Sequence, residues 1–98
     1  MTKYNLILSE KAELQIEKAF LYYDLISIKI ADNFIFEVEI CLNSITENPL
    51  LFQIQKNYFR QALISNFPFV VVYSIEKQDV ILVNSVFHTS QNPKKKYK

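Results

Sequence analysis

The clearest pattern of hydrophobic and polar positions lies in the last third of the chain. Residues 69–75 and 80–87 are two runs rich in β-branched and aromatic residues, and such runs are typical of buried strands. A polar Lys-Gln-Asp reversal separates them, which is a spacing that predicts a β-hairpin. Neither run alternates cleanly between apolar and polar positions, so both faces of this hairpin are predicted to be covered. We therefore expect the hairpin to be the centre of a sheet.

The first third of the chain predicts a short strand over residues 4–8, followed by an amphipathic helix. Ser9 occupies an N-cap position, and the carboxylate of Glu10 suits the positive start of the helix. Apolar residues recur every three or four positions on one helical face: Ala12, Ile16, Ala19, Phe20, Tyr23 and Ile26. A second stripe consists of Leu14, Leu21, Leu25 and Ile28. The two stripes predict that this helix is covered on two sides.

Residues 34–42 fit both a strand and a helix. Apolar residues alternate there, as in a strand, but a longer stripe at helical spacing runs from Ala31 to Ile45. Asn48 and Pro49 then supply a stop signal for a helix. The longer pattern favours a second helix, which would form an antiparallel hairpin with the first.

The segment after Pro49 predicts extended structure over residues 50–55 and a strand over residues 57–64. That strand carries Arg60, the only arginine, and the sequence Asn66-Phe67-Pro68 then turns the chain into the central hairpin. The predicted fold class is α+β: an N-terminal strand, a two-helix antiparallel hairpin and then three antiparallel strands, in a four-stranded sheet. We expect residues 1–93 to form a single domain and residues 94–98 to form a basic tail.

Length and composition are those of one folded domain. The chain has 98 residues, of which 50% are hydrophobic, enough for one core. No apolar run approaches the roughly 20 residues of a membrane span, and the N-terminus lacks the pattern of a signal peptide. The single cysteine, Cys41, has no partner for a disulfide within the chain. These features predict a cytoplasmic protein.

Charge and residue usage narrow the possible chemistry. The net charge is +1, but residues 1–87 carry seven Lys or Arg against ten Asp or Glu, so the positive charge is concentrated in the tail. The absence of glycine excludes glycine-rich phosphate loops and dinucleotide-binding turns. One histidine and one cysteine do not provide a cluster of metal ligands. We therefore expect neither a metal nor another cofactor.

Several short motifs follow one another along residues 4–93. They are a first strand ending in Leu8-Ser9-Glu10, Asn48-Pro49, Arg60, Phe67-Pro68-Phe69, Tyr73, a last strand ending in Val86-Phe87-His88, and Asn92-Pro93. In this order they resemble the RelE/ParE superfamily of type II toxin–antitoxin toxins. The resemblance implies a compact toxin that inhibits growth, stabilises plasmids and is neutralised by a cognate antitoxin protein.

The superfamily resemblance implies two different activities on one fold. RelE-like members cut mRNA in the ribosomal A site, whereas ParE-like members inhibit DNA gyrase. Fold alone does not choose between them. His88 matches the position of the acid in some cleaving relatives, and Arg60 offers a planar cation for phosphate. These two residues are the candidate catalytic pair.

The rest of the cleavage site does not match. Cleaving relatives place an arginine early in the third strand, where this chain has Phe69 and Val70. Loss of a cation that stabilises the transition state is expected to cost several kcal/mol. We therefore favour a ParE-like toxin that binds a target such as DNA gyrase without catalysis. The alternatives are a RelE-like mRNA endoribonuclease acting on the ribosome and a degenerate toxin that retains only antitoxin binding.

Other roles remain open for the same residues. His88 could hydrogen-bond at the end of its strand, and Arg60 could pair with Glu37 or Glu39 on the second helix. Candidate residues for binding nucleic acid or another target are Lys56, Lys94, Lys95, Lys96 and Tyr97.

Overall fold

The computed structural model describes residues 4–90. The elements are β1 (Asn5–Leu8), α1 (Glu10–Ile26), α2 (Ile28–Glu47), β2 (Ile54–Lys56), β3 (Phe59–Leu63), β4 (Phe69–Glu76) and β5 (Val80–His88), with a short 3₁₀ turn at Lys77–Asp79. This order confirms the predicted α+β class. No helix in the described part of the chain is long and apolar enough to cross a membrane.

The strands form one mixed sheet in the order β1-β5-β4-β3-β2. β1 pairs in parallel with β5, and the remaining neighbours are antiparallel. The predicted number of four strands is one too few, because β2 is a separate strand that pairs irregularly with β3. β2 is three residues long and fully exposed, so it has no buried face and leaves no alternating pattern in the sequence.

Two serines define the helix ends. The Ser9 hydroxyl accepts a hydrogen bond from the backbone N–H of Ala12 at 3.0 Å, which confirms the predicted N-cap. Ser27 alone separates the helices: its N–H donates to the Tyr23 carbonyl at 2.8 Å, and its hydroxyl accepts from the N–H of Ile30 at 3.3 Å. The ambiguous segment 34–42 is helical, and α2 ends at Glu47, just before Pro49.

Both faces of the central hairpin are buried, as predicted. The helices cover one face, where the buried side chains include Ala12, Ala19, Phe34, Val38, Ile45, Val71, Tyr73, Ile81, Val83 and Val86. A smaller cluster of Val70, Val72 and Phe87, with Phe59 against it, lies on the opposite face. β4 buries its first six residues, which explains why its sequence does not alternate.

The prediction that α1 is covered on two sides is wrong. The second stripe is exposed: Leu14 by 49%, Leu21 by 51%, Leu25 by 89% and Ile28 by 71%. Only Ala12 and Ala19 of α1 are fully buried against the sheet and α2. A helical period shows that a stripe is apolar, but it does not show whether the same chain provides a cover for it.

Among residues 4–90, four residues take left-handed backbone conformations that glycine would normally occupy. They are Asn57, Asn66, Gln78 and Asp79, with φ between 53° and 68°. Asn and Asp tolerate this region better than most residues because their short side chains can hydrogen-bond locally. The chain contains no glycine, so its tight turns depend on this tolerance and, at Gln78, on the surrounding structure.

Candidate functional site

His88 is the last residue of β5, next to Phe69 at the start of β4. The two rings meet edge to face, with centroids 5.2 Å apart. The backbone N–H of Ser90 donates to Nδ1 of His88 at 3.1 Å, and the Ser90 hydroxyl lies 2.7 Å from the same nitrogen. Because Nδ1 accepts this hydrogen bond, the neutral ring carries its proton on Nε2. The predicted hydrogen bonding of His88 at its strand end is confirmed.

A cavity of about 470 Å³ lies between α1 and the end of β5. Its lining includes Lys18, Tyr22, Tyr23, His88 and Ser90. Tyr23 is half-buried and packs edge to face on Phe67 at 5.1 Å between centroids. Burial, and to a smaller extent the neighbouring Tyr22, raises the pKa of the Tyr23 hydroxyl. The cavity therefore combines aromatic surface with an imidazole and an ammonium group.

Beside this cavity, β5 contains a bulge that α1 stabilises. Val72 lies opposite Ser85 and Tyr73 lies opposite Val83, which leaves Asn84 as the extra residue. The Asn84 carbonyl accepts a hydrogen bond from the Ser9 hydroxyl at 2.8 Å. The hydroxyl of Ser9 therefore both caps α1 and bonds to the bulge.

The outer edge of β5 is paired for only half of its length. β1 ends opposite Val83, and no described strand pairs with this edge further along. The side-chain oxygen of Gln15 accepts a hydrogen bond from the Val86 N–H at 2.7 Å, in the place where a strand carbonyl would otherwise bind. The half of β5 that leads to His88 is therefore covered at Val86 by a side chain of α1 instead of by a strand.

Arg60 fastens the loop between α2 and β2. Its guanidinium donates to the carbonyl of Phe52 at 2.6 Å and to that of Leu50 at 3.4 Å. On the adjacent strand, the Tyr73 hydroxyl donates to the carbonyl of Pro49 at 2.6 Å. Burial raises the pKa of Tyr73 to about 12, partly opposed by the nearby charge of Arg60.

Pairing with Glu37 or Glu39 on α2 was one of the roles left open for Arg60, and the structure shows other partners. The hydrogen bonds of Arg60 within the described chain go to loop carbonyls. Glu37 instead accepts a hydrogen bond from the side-chain amide of Asn66 at 2.9 Å. The sequence shows the charges of these residues, but not the path of the loop that brings the carbonyls to Arg60.

The structure does not bring Arg60 and His88 together. Arg60 lies opposite Tyr73 on β4, and His88 lies opposite Phe69, four residues away and across two strand neighbours. At regular sheet spacings this separates their Cα atoms by about 16 Å. Phe69 and Val70 are buried. Lys56 is exposed at the opposite edge of the sheet, whereas Lys94, Lys95, Lys96 and Tyr97 lie outside the described residues.

Cys41 packs inside the protein. It is 7% exposed, and its thiol donates a weak hydrogen bond to the Leu63 carbonyl at 3.7 Å. Burial raises its pKa to about 11, which suppresses the reactive thiolate. Across residues 4–90, no three His, Cys, Asp or Glu side chains are grouped so that they could hold a metal ion.

Sequence reasoning missed five polar or aromatic residues of this region: Gln15, Lys18, Tyr22, Tyr23 and Ser90. Tyr23 was assigned to the core face of α1, and the other four carried no motif. Their only available signal was the position of α1 beside the last strand. That position depends on the parallel pairing of β1 with β5, which brings together residues 75 positions apart.

The fold and site define a small α+β protein with two helices on one face of a five-stranded sheet and an aromatic cavity beside the last strand. Residues 6–93 match the family described as the ParE toxin of the type II toxin–antitoxin system parDE, and the chain belongs to this family.

A solved structure shares the fold. A chain of the "Chromosomal ParDE TA system from P. aeruginosa" superimposes with a TM-score of 0.75, over 90% of this chain and 98% of that chain, at 12% sequence identity. At this identity the likeness concerns the fold. Comparison with curated proteins gave no match.

Proposed function

We propose that this protein is a ParE-like toxin that arrests growth in the cytoplasm by binding a macromolecular target such as DNA gyrase, without cutting RNA itself. Membership of the ParE toxin family supports the toxin role. The observation that carries the non-catalytic part is the engagement of Arg60 by the carbonyls of Leu50 and Phe52.

RNA cleavage without a metal needs an acid, a base and cations around one phosphate. Here Arg60 is about 16 Å from His88 at regular sheet spacings, and Nη1 of its guanidinium donates to two loop carbonyls. Releasing Arg60 toward a phosphate would leave the Phe52 carbonyl without this bond. The described residues thus support binding better than phosphodiester cleavage.

The partner of the toxin would be a cognate antitoxin, and the cavity beside β5 suits a segment of it. The lining of the cavity includes the aromatic rings of Tyr22, Tyr23 and Phe69. An antitoxin segment that folds on binding can insert apolar side chains into such a cavity.

The target is tested by inducing the chain in growing cells and then assaying the purified protein. Growth arrest, inhibited gyrase supercoiling and intact transcripts in a translating lysate are expected. Codon-positioned transcript cleavage that disappears in His88→Ala would overturn the proposal and establish the RelE-like alternative. Normal growth at full expression would also overturn the proposal and favour the third alternative, a degenerate toxin that retains only antitoxin binding.

Antitoxin binding is tested with two tyrosines of equal exposure. Tyr22 lines the cavity and Tyr58 precedes β3 on the far side of the sheet, and both are 63% exposed. Tyr22→Glu is expected to weaken binding of the antitoxin encoded beside the toxin gene at least about tenfold, which corresponds to 1.4 kcal/mol. Tyr58→Glu is the matched control. Equal losses in both variants, measured by calorimetry, would place the antitoxin elsewhere.

A further inference from the structure

Helix α1 carries opposite charges on two of its flanks. Residues three or four positions apart on a helix lie above one another, and two such rows follow α1. The first row consists of Lys11, Gln15, Lys18 and Tyr22. The second row consists of Glu13, Glu17, Phe20 and Asp24. The first row therefore has two cations and no acid, and the second has three acids and no cation.

The two rows border different cavities. Glu13 and Glu17 line a groove between α1 and α2. Lys18 lines the cavity beside β5, together with His88. None of the described residues that line the cavity beside β5 is an Asp or a Glu. The acids of α1 are thus kept on the flank that faces away from this cavity.

More positive charge lies around the end of β5. Nζ of Lys11 is 5.8 Å from the centre of the Phe87 ring, and Phe87 is the neighbour of His88 in the chain. After Ser90 the sequence continues with four lysines and no acid up to residue 98. Charges of one sign around a cleft with apolar walls add to one another and attract an ion of the opposite sign. An anionic group is therefore favoured in this cavity.

The donors of the cavity suit a carboxylate better than a nucleic acid. Lys18 is the only permanent cation among its described lining residues, and His88 adds an imidazole N–H. One carboxylate has one charge and accepts hydrogen bonds from such donors. A nucleic-acid strand brings a phosphate with every nucleotide and is held by several cations, among which the fork of arginine is preferred. No arginine is among the described residues that line the cavity.

We propose that the cavity beside β5 binds a carboxylate carried by an apolar segment of a partner protein, with Lys18 and His88 as its polar contacts. The proposal rests on the proposed function in that it takes the antitoxin as the source of this segment. An Asp or Glu next to an apolar residue of the antitoxin places its charge against Lys18. The apolar residue then packs on the rings of Tyr22, Tyr23 and Phe69.

Two small molecules of nearly the same shape test this chemistry without the antitoxin. Hydrocinnamate and its uncharged amide are titrated into the purified full chain, and NMR signals of Tyr22 and His88 report binding. The carboxylate is expected to bind roughly three- to tenfold more tightly than the amide, the size of one partly exposed charged contact. Lys18→Gln should remove most of this preference. Lys29→Gln is the matched control, because Lys29 is exposed on α2 and does not line the cavity.

The titrations can overturn the proposal in three ways. Equal binding of the two compounds to the parent chain would do so, and so would equal effects of Lys18→Gln and Lys29→Gln. Uridine monophosphate is the third probe. If it binds the parent chain more tightly than hydrocinnamate and shifts the same signals, the cavity is a nucleotide site instead.

Calorimetry with the antitoxin encoded beside the toxin gene then tests the source of the carboxylate. Lys18→Gln is expected to weaken antitoxin binding roughly three- to tenfold, whereas Lys29→Gln should leave it unchanged. Unchanged binding in Lys18→Gln would overturn the antitoxin as the source. Neither measurement depends on growth arrest or on gyrase, so this proposal and the proposed function can fail separately.

Discussion

Arg60 shows at the scale of one residue how a candidate catalytic group can have a structural task. Its guanidinium donates to Phe52 at 2.6 Å and to Leu50 at 3.4 Å, next to the Tyr73 hydroxyl that binds Pro49. These bonds connect three residues of the loop, Pro49, Leu50 and Phe52, to strands β3 and β4.

Arg60→Met keeps most of the side-chain volume but removes every donor. We expect it to lower the free energy of unfolding by about 1–3 kcal/mol, because the Phe52 carbonyl loses a charge-assisted partner. Urea denaturation measures the change, and Lys56→Met at an exposed position should stay within about 0.5 kcal/mol of the parent. Unchanged stability together with lost toxicity would instead assign Arg60 to the target.

Single residues differ in how far the sequence could predict them. The Ser9 cap was predictable because its partner lies three residues away. The partners of Arg60 were not predictable, because they are carbonyls whose position depends on an irregular loop. Local hydrogen bonds follow from spacing, whereas those between side chains and distant backbone require the fold.

The β4–β5 reversal shows at the scale of an element how the chain forms tight turns without glycine. Gln78 lies in the left-handed region, with φ 61° and ψ 38°, within the 3₁₀ turn Lys77–Asp79. For a residue with a Cβ this conformation costs about 1–2 kcal/mol. The strands on either side must therefore impose it on the turn.

Gln78→Gly removes the Cβ from this strained position. We expect it to stabilise the protein by about 0.5 kcal/mol, the relief of strain being partly offset by the greater freedom of glycine in the unfolded chain. Thermal and urea unfolding measure the change. Gln61→Gly is the control, because Gln61 is an ordinary residue of β3, where glycine should destabilise by about 0.5–1 kcal/mol. Destabilisation by both substitutions would show that the turn is not strained.

The elements themselves were largely predictable, for reasons that differ between them. α2 was recognisable because its apolar stripe extends well beyond the alternating part and stops at Asn48 and Pro49. β2 was not recognised as a separate strand, because a strand of three exposed residues has no buried face and so no alternation of apolar and polar residues. The wrong prediction for α1 shows that sequence periodicity identifies an apolar face but not what covers it.

At the scale of the whole molecule, a buried thiol and a buried phenol make the stability of the protein depend on pH in the alkaline range. Burial raises the pKa of Cys41 from 9.0 to about 11 and that of Tyr73 from 10.0 to about 12. Both groups ionise more readily in the unfolded chain than in the folded one. Their contribution is therefore complete below pH 9 and is lost as the pH rises through their folded-state pKa values.

We expect the free energy of unfolding to fall steadily between pH 9 and pH 12, and urea titrations at several pH values measure this decrease. Cys41→Ala should remove the part that begins near pH 9. Tyr73→Phe should remove the part that begins near pH 10, although it also loses the hydrogen bond to Pro49. A stability that does not change across this range in the parent chain would contradict the assignment of both shifts to burial.

The order of helices and strands was predicted from their apolar patterns, but the strand order of the sheet and the parallel pairing of β1 with β5 were not. The position of the candidate site could not be predicted from the sequence, because the cavity forms only where α1 passes the end of β5.

The parallel contact of β1 with β5 has a consequence for how the protein is made. Residues 5–8 are translated 75 residues before their sheet partners at residues 80–83. β1 must therefore remain without this partner until β5 has been made. The sheet is completed only after β5 has been translated, whatever structure the helices have formed by then.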